Sequence, residues 1–189
     1  MNDKPIEFLG ARQAVTPPKI MPNLPNLRIA QSKDIATLFE IRTSVVENYQ
    51  STEEIAELGI TPTSVAEMLA SDCRAWIAEI DGKSIGFSIA NATERNILGL
   101  FVLPAFEGLG AGRILLEAAE AWLWESGAEE IWLVTGNDPS LRAYGFYGHL
   151  NWIPVGVESE GDLQGEMRFI KKNGSESPSP SMAPSMTQH

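Results

Sequence analysis

The sequence of 189 residues predicts a mixed α/β domain in which helices cover the faces of a sheet. Three observations support this fold class. Segments with helical and with strand periodicity alternate between residues 27 and 171. The pair Asp81-Gly82 separates two apolar runs, which is typical of a β-hairpin. The continuous apolar run Ile131-Trp132-Leu133-Val134 is typical of a strand that is covered on both faces.

The predicted elements follow one another as strand, two helices, three strands, helix, strand, helix and two strands. A short strand at 27–30 precedes the first helix, which begins at the caps Ser32 or Asp34 and continues to about Asn48. The second helix begins near Thr61. The remaining elements are strands at 75–80, 84–92 and 97–102, a helix at 110–126, a strand at 131–134, a helix at about 140–150, and strands at 152–157 and 166–170.

A single domain is expected to account for the ordered part of the chain, which we place at residues 27–171. Residues 1–26 are rich in proline, which interrupts regular structure, so this segment is predicted to be poorly ordered. Residues 172–189 are rich in serine and proline and have no periodicity, which predicts a disordered tail.

Charge and composition argue against several classes of function. The chain has 25 acidic and 14 basic residues and a net charge of −11, so its surface repels nucleic acid and anionic lipid but attracts a cationic amine. No apolar run is long enough to span a membrane, and the first residues do not resemble a secretory signal. One cysteine and two histidines predict neither a disulfide nor a metal site. We therefore expect a cytoplasmic protein that has no metal, nucleic-acid or membrane partner.

The most informative segment is a glycine-rich turn between a predicted strand and a predicted helix. It reads Glu107-Gly108-Leu109-Gly110-Ala111-Gly112-Arg113. Alternating glycines keep side chains away from the backbone, so successive N–H groups can converge on one anion at the positive end of the helix dipole. The turn therefore predicts a phosphate-binding site. The alternative is a glycine-rich helix start that binds nothing.

Two common nucleotide-binding motifs do not fit this turn. A Walker P-loop requires lysine and a hydroxyl residue after its last glycine, whereas Arg113-Ile114 follows here. A dinucleotide-binding fingerprint has the spacing G-x-G-x-x-G, whereas this turn has G-x-G-x-G. ATP and NAD are therefore disfavoured as ligands. A nucleotide-binding protein is nevertheless kept as a less favoured hypothesis.

The strand Leu100-Phe101-Val102-Leu103-Pro104 and the turn that follows resemble the acyl-CoA motif of the GNAT acyltransferases, Q/R-x-x-G-x-G/A. The resemblance covers residues 27–171 and implies the GNAT fold, a mostly antiparallel central sheet with helices on both faces. It further implies acetyl-CoA as acyl donor, with the pantetheine arm along the backbone of Leu100, Phe101 and Val102. The pyrophosphate would lie on the turn formed by Glu107, Gly108, Leu109, Gly110, Ala111, Gly112 and Arg113. Glu107 departs from the family, which has Gln or Arg at this position.

A second segment resembles the family pattern N-x-R-A-x-x-F-Y-x-x-x-G-F. It reads Ser140-Leu141-Arg142-Ala143-Tyr144-Gly145-Phe146-Tyr147 and continues to Asn151-Trp152. The resemblance implies that Tyr147 is catalytic and protonates the departing CoA thiolate; the alternative is a packed tyrosine whose hydroxyl is bonded elsewhere. Ser140 replaces a cofactor-contacting Asn, for which Asn137 is a substitute, and Asn151 replaces a Gly.

No general base follows from the resemblance. The strand positions where some family members carry Glu are Leu98, Gly99, Val134 and Thr135 in this sequence. Glu47 and Glu94 are the candidate bases, and for each a solvated surface acid is the alternative. His149 is expected to be a surface residue, and Cys73 is not expected to be a nucleophile.

The sequence therefore predicts an N-acyltransferase that moves acetyl from acetyl-CoA to a primary amine, carried by a small molecule or a peptide, by direct attack on the thioester. The alternative is a catalytically silent module of the same fold that binds CoA or a protein. Trp122 and Trp124 cannot share one helix face, so one of them can contact a loop or a second subunit. A homodimer is thus an alternative to a monomer.

Overall fold

The computed structural model describes residues 24–46 and 49–174. Its strands are β1 (Asn26–Ile29), β2 (Cys73–Ile80), β3 (Lys83–Asn91), β4 (Asn96–Val102), β5 (Glu130–Gly136), β6 (Ile153–Val157) and β7 (Glu166–Lys172). Its α-helices are α1 (Ile35–Arg42), α2 (Thr52–Glu57), α3 (Pro62–Ala70), α4 (Ala111–Glu125) and α5 (Arg142–His149). Short 3₁₀ turns cover Ser32–Asp34, Pro104–Phe106 and Gly161–Leu163. Residues 1–23 and 175–189, which make up most of the two predicted terminal segments, lie outside the described residues, and so do residues 47–48.

The strands form one sheet in the order β1-β2-β3-β4-β5-β7-β6. All neighbouring strands are antiparallel except β4 and β5, which are parallel. The α4 crossover between β4 and β5 makes this parallel pair possible. The predicted mixed and mostly antiparallel sheet is therefore confirmed.

Helices pack on both faces of the sheet, as the sequence predicts. On one face α4 and α5 cover a core that includes Leu115, Leu123, Ile131 and Phe169, none of which is exposed to solvent. On the other face α1 and α3 cover β2 and β3, and Ile77 is completely buried there. Within the described ranges no helix is long and apolar enough to cross a bilayer.

The first helix is shorter than the sequence predicts. It ends at Arg42 instead of continuing to Asn48, a residue that lies outside the described part. Thr43 and Ser44 donate side-chain hydrogen bonds to the carbonyls of Phe39 (2.9 Å) and Glu40 (2.6 Å). Such local bonds compete with helix propagation, which explains why the helix stops at these hydroxyl residues.

Helix α2 is absent from the sequence prediction. Its start carries a reciprocal capping box, in which Ser51 Oγ accepts from the Glu54 N–H (3.2 Å) and Glu54 Oε2 accepts from the Ser51 N–H (2.7 Å). The Ser-x-x-Glu spacing at 51–54 is the signal that could have revealed this helix.

The two parallel strands pair over a single position, and this arrangement opens the sheet. Asn96 lies opposite Trp132, whose N–H donates to the carbonyl of Arg95 (3.1 Å). Leu98 is an extra residue in β4, because Ile89 and Ala90 of β3 lie opposite residues 99 and 97. Beyond this bulge no ladder pair joins β4 to β5 among the described residues. We call the space between residues 98–102 and 133–136 the β4–β5 wedge.

Candidate functional site

The turn that begins α4 has the geometry of an anion-binding site. Gly108 and Gly110 have φ angles of 75° and 87°, a left-handed conformation that side chains rarely adopt. The first helical hydrogen bond runs from the Ile114 N–H to the Gly110 carbonyl (3.2 Å), so the N–H groups between them have no partner within the helix. A Cβ atom at either left-handed glycine would meet nothing within 4 Å, which means that the space beside the turn is open.

The charged side chains around the turn are paired with one another. Glu107 forms an ion pair with Arg142, the first residue of α5. Arg113 Nε lies 2.7 Å from Glu117 Oε1 one turn further along α4. The acid at 107 is therefore neutralised by a residue that is 35 positions away, a contact that sequence reasoning missed and for which the sequence offers no local signal.

The last three side chains of β4 pack on the two faces of the sheet. Leu100 and Val102 pack against the core beneath α4. Phe101 points to the opposite face, where its ring centre lies 5.2 Å from that of Phe87 and 4.6 Å from the guanidinium carbon of Arg42. What β4 offers to the wedge is therefore its backbone edge, which has no ladder partner there among the described residues.

Tyr147 lies in α5 and is almost completely buried. The centre of its ring lies 5.4 Å from the ring centre of Phe146, 5.8 Å from that of Phe169 and 6.2 Å from that of Trp152. No hydrogen bond of its hydroxyl is found among the described residues. Burial raises the pKa of Tyr147, so the phenol remains a neutral proton donor at physiological pH.

Three segments that carry site residues meet at one place. A Cβ atom built on Gly112 would lie 3.5 Å from Cζ of the Phe146 ring and 3.8 Å from Cγ2 of Val102. Phe146 thus packs where the first turn of α4 meets the end of β4, and it directly precedes Tyr147. The structure therefore brings together the glycine turn, the wedge strand and the tyrosine helix that the sequence singles out.

The residues that depart from the family pattern have local structural roles. Ser140 donates from its backbone (2.8 Å) and its hydroxyl (2.7 Å) to Asp138 Oδ1, which closes the turn before α5. Asn151 has a φ of 64°, in the left-handed region where asparagine is tolerated best after glycine. This conformation explains why Asn can stand at a position where the family usually has Gly.

Of the two candidate bases, Glu94 lies in the described part of the chain, and it is not one of the residues that form the wedge. Glu94 is exposed in the turn before β4, at the end where β4 and β5 are paired, and its carbonyl accepts from Trp132 Nε1 (2.9 Å). Glu47 lies outside the described residues. The identity of the base stays a prediction.

The sequence analysis also considered the side chains of His149 and Cys73. His149 is exposed at the end of α5, where Nδ1 lies 2.6 Å from the carbonyl of Gly145. Cys73 is buried, and burial together with the nearby charge of Asp72 raises the pKa of its thiol to about 11.

Trp122 and Trp124 both pack at the margin of the core beneath α4, and the ring centre of Trp122 lies 5.7 Å from that of Trp76 in an edge-to-face contact.

Comparison with known proteins bears on the family and the fold of the chain. The sequence model of the acetyltransferase (GNAT) family matches residues 36–152, which include the wedge, the turn and Tyr147. No curated protein sequence matches the chain.

Solved structures with the same fold cover most of the chain. PaiA N-acetyltransferase from Thermoplasma acidophilum, in complex with coenzyme A, is 20% identical with a TM-score of 0.64, over 79% of this chain and 99% of its own. The ribosomal-protein-S18-alanine N-acetyltransferase from Escherichia coli is 14% identical with a TM-score of 0.63, and the match covers 84% of this chain and 99% of the Escherichia coli protein. A chimera of the spermidine N-acetyltransferase SpeG from Vibrio cholerae and hSSAT is 14% identical with a TM-score of 0.60, and the match covers 79% of this chain and 96% of the chimera. Because the sequence identities are this low, the similarity to these structures shows a shared fold and nothing more.

Proposed function

The chain belongs to the GNAT family of acetyltransferases, and from this premise we propose that it transfers acetyl from acetyl-CoA to a primary amine. The observation that carries the proposal is the open glycine turn at the start of α4, next to a strand edge that has no ladder partner. The diphosphate of CoA would bind the backbone N–H groups of residues 108–113. The pantetheine arm would then extend along the backbone of Leu100, Phe101 and Val102.

The proposed reaction is direct acyl transfer. The amine nitrogen attacks the thioester carbonyl carbon, a C–N bond forms, the C–S bond breaks, and the thiolate leaves. Backbone N–H groups on the free edge of β4 would polarise the acyl carbonyl in the wedge. Tyr147 would donate a proton to the thiolate, and its raised pKa keeps that proton available.

The nitrogen must lose a proton during the reaction. Neither wedge segment, 98–102 nor 133–136, contains a carboxylate. We therefore propose that the amine enters in its neutral form or loses its proton to water, with Glu94 and Glu47 as the candidate side chains along that path. This arrangement leaves the protonation of the amine itself as the main pH-dependent step.

The acceptor is proposed to be a primary amine of a small molecule or a peptide. The net charge of −11 supports a cationic acceptor through long-range attraction. Two proteins with the same fold bear names that specify spermidine and a ribosomal-protein alanine, so both small amines and peptide termini belong in the search. We further propose that the protein acts in the cytoplasm, as a monomer or a homodimer.

Thermal unfolding with acetyl-CoA, CoA, ATP and NAD tests the cofactor. A ligand at about 100 times its Kd adds about 2.7 kcal/mol to stability, which raises the melting midpoint by several degrees. We expect both CoA compounds to raise the midpoint and ATP and NAD to leave it unchanged. If neither CoA compound raises it, the turn does not bind CoA and the proposal fails.

A panel of amines, scored by release of free thiol from acetyl-CoA, tests the reaction. Polyamines, amino acids and peptides with free N-termini or lysines cover the proposed acceptors. Turnover of at least one class supports the enzyme. Binding of CoA without turnover of any amine favours the silent module of the same fold.

A further inference from the structure

Helix α5, which carries Tyr147, is weak by itself. It has only eight residues, two of them are the exposed glycines Gly145 and Gly148, and its N-cap residue Leu141 provides no side-chain cap. Glycine inside a helix is unfavourable, and isolated helices of this length do not persist in water. The position of α5 therefore depends on its tertiary contacts.

Two contacts connect α5 to the start of α4. Phe146 packs beside Gly112, and Arg142 forms an ion pair with Glu107, which lies directly before the first glycine of the turn. The ion pair holds the first residue of α5, and Tyr147 lies five residues later, about 7.5 Å along the helix axis. A change at residue 107 can thus reach Tyr147 through one short helix.

We propose that Glu107 is a positioning residue that acts through Arg142. Their ion pair ties α5 to the glycine turn and so holds the Tyr147 hydroxyl where the leaving thiolate forms. The structural part of this proposal stands on the ion pair alone, whereas its kinetic part rests on the proposed acetyl transfer. It explains why an acid stands at 107, where the family usually has Gln or Arg.

The obvious competing explanation is that Glu107 only repels the phosphates of CoA. The side chain of Glu107 is 34% exposed and that of Arg142 is 59% exposed, so the pair lies at the surface beside the open turn. If repulsion were its only effect, neutralising the acid would tighten CoA binding and leave kcat unchanged. If the acid positions α5, kcat falls and CoA binding changes little.

Hydrogen exchange on the protein without ligand tests the ion pair independently of any activity. We expect the α5 amides to exchange about threefold faster in Glu107→Gln and in Arg142→Gln, the size of effect that a surface ion pair supports. The charge-swapped pair Glu107→Arg with Arg142→Glu should restore protection. The control is Glu130→Gln. Glu130 is the first residue of β5, and its exposed carboxylate lies 3.9 Å from Lys172 Nζ. Unchanged exchange in both single variants would overturn the proposal.

Steady-state kinetics test the link to Tyr147. In Glu107→Gln we expect kcat to fall about fivefold while the KM for acetyl-CoA stays within twofold, because a displaced donor group impairs the chemical step more than binding. In a Tyr147→Phe background the same substitution should have no further effect on kcat, since there is no hydroxyl left to position. Additive effects on kcat, or a lower KM with unchanged kcat, would overturn the proposal.

The two arms of the experiment separate this proposal from the proposed function. If the unmodified protein binds no CoA and acetylates no amine, acetyl transfer fails, while the exchange data still decide whether Glu107 holds α5. If acetyl transfer succeeds and the exchange data show no change, the positioning role alone is wrong.

Discussion

The two helices that meet at the glycine turn are held in different ways. Helix α4 has 15 residues and buries Leu115, Leu116, Ala119 and Leu123 completely. Helix α5 has eight residues, and among them only Tyr147 is buried. α4 is thus a long amphipathic helix that is anchored by its own apolar face, whereas α5 depends on aromatic contacts and one surface ion pair.

Under the proposed function, this difference gives the two helices separate tasks. The rigid helix presents backbone N–H groups, which need no side-chain adjustment to bind an anion. The weaker helix carries the proposed proton donor, whose position is set by its neighbours. Changes that affect α4 should therefore appear in stability and cofactor affinity, and changes that affect α5 should appear in turnover.

The largest effect is expected where α4 is anchored to the sheet. The carboxylate of the buried residue Glu120 accepts from Trp152 Nε1 (2.8 Å) and from Lys171 Nζ (2.7 Å). Lys171→Met leaves this carboxylate buried without a cation, so urea unfolding should show a loss of about 3 kcal/mol. Lys172→Met, next to the exposed Glu130, should change stability by less than about 0.5 kcal/mol. A loss below about 1 kcal/mol for Lys171→Met would contradict the anchoring.

The next effect concerns turnover and involves α5. Tyr147→Phe should lower kcat about 100-fold, which corresponds to about 2.7 kcal/mol, while the KM for acetyl-CoA stays the same. Stability should hardly change, because no partner of the hydroxyl is found among the described residues. Tyr144→Phe is the control, since Tyr144 lies one turn earlier and contacts Phe169 edge to face at 5.1 Å. Unchanged kcat in Tyr147→Phe would remove this residue from the mechanism.

The pH dependence of kcat/KM tests both proton transfers. For an acceptor of pKa about 10.4 the neutral fraction rises tenfold per pH unit, so kcat/KM should rise about 100-fold from pH 7 to pH 9. Burial raises the pKa of Tyr147 above its ordinary value, so the donor stays protonated and no decline is expected below pH about 10. A plateau that begins near pH 7 would instead reveal a base within the protein.

The turn at the start of α4 can be compared with the end of the same helix. Gly110 and Gly127 both have left-handed φ angles, 87° and 90°, and neither is close to another atom at its Cβ position. Gly110→Ala and Gly127→Ala should each cost about 1–2 kcal/mol of stability. Only Gly110→Ala should also weaken CoA binding, by about tenfold in a titration. Equal CoA affinities in the two variants would contradict a cofactor site at the turn.

The smallest effect is a gain of stability in α5. Gly145 is exposed, its φ is not left-handed, and a Cβ there would meet nothing within 4 Å. Gly145→Ala should therefore raise stability by about 0.5–1 kcal/mol, measured by urea unfolding. Ala121→Gly at an exposed position of α4 is the reciprocal control and should lower stability by a similar amount. No gain in Gly145→Ala would mean that helix propensity does not limit α5.

Much of the fold was predictable because its signals are local. The β2–β3 hairpin follows from Asp81-Gly82, and α4 follows from periodic apolar residues between a glycine turn and Gly127. The end of α1 was predicted wrongly and α2 was not predicted, although the hydroxyl residues at 43–44 and the capping box at 51–54 are also local signals.

Other features of the site could not be predicted from local patterns. The wedge exists because β4 and β5 pair at one position only, and the bulge at Leu98 depends on the register with β3. Register is set by side-chain packing between distant segments, which neither periodicity nor motif spacing reports. The sequence named the strand and the turn but did not predict the opening between the two strands.

The sequence by itself determined the local backbone geometry of the glycine turn. Alternating glycines at a helix start specify converging N–H groups wherever the chain folds, because φ angles and helix termini are local properties. The tertiary structure decided which charges meet, since Glu107 and Arg142 are 35 residues apart and Glu120 and Lys171 are 51 apart. It also decided the environment of Tyr147, whose burial among Phe146, Trp152 and Phe169 raises its pKa. Charge pairing and desolvation depend on distances in space, and only the folded chain sets those distances.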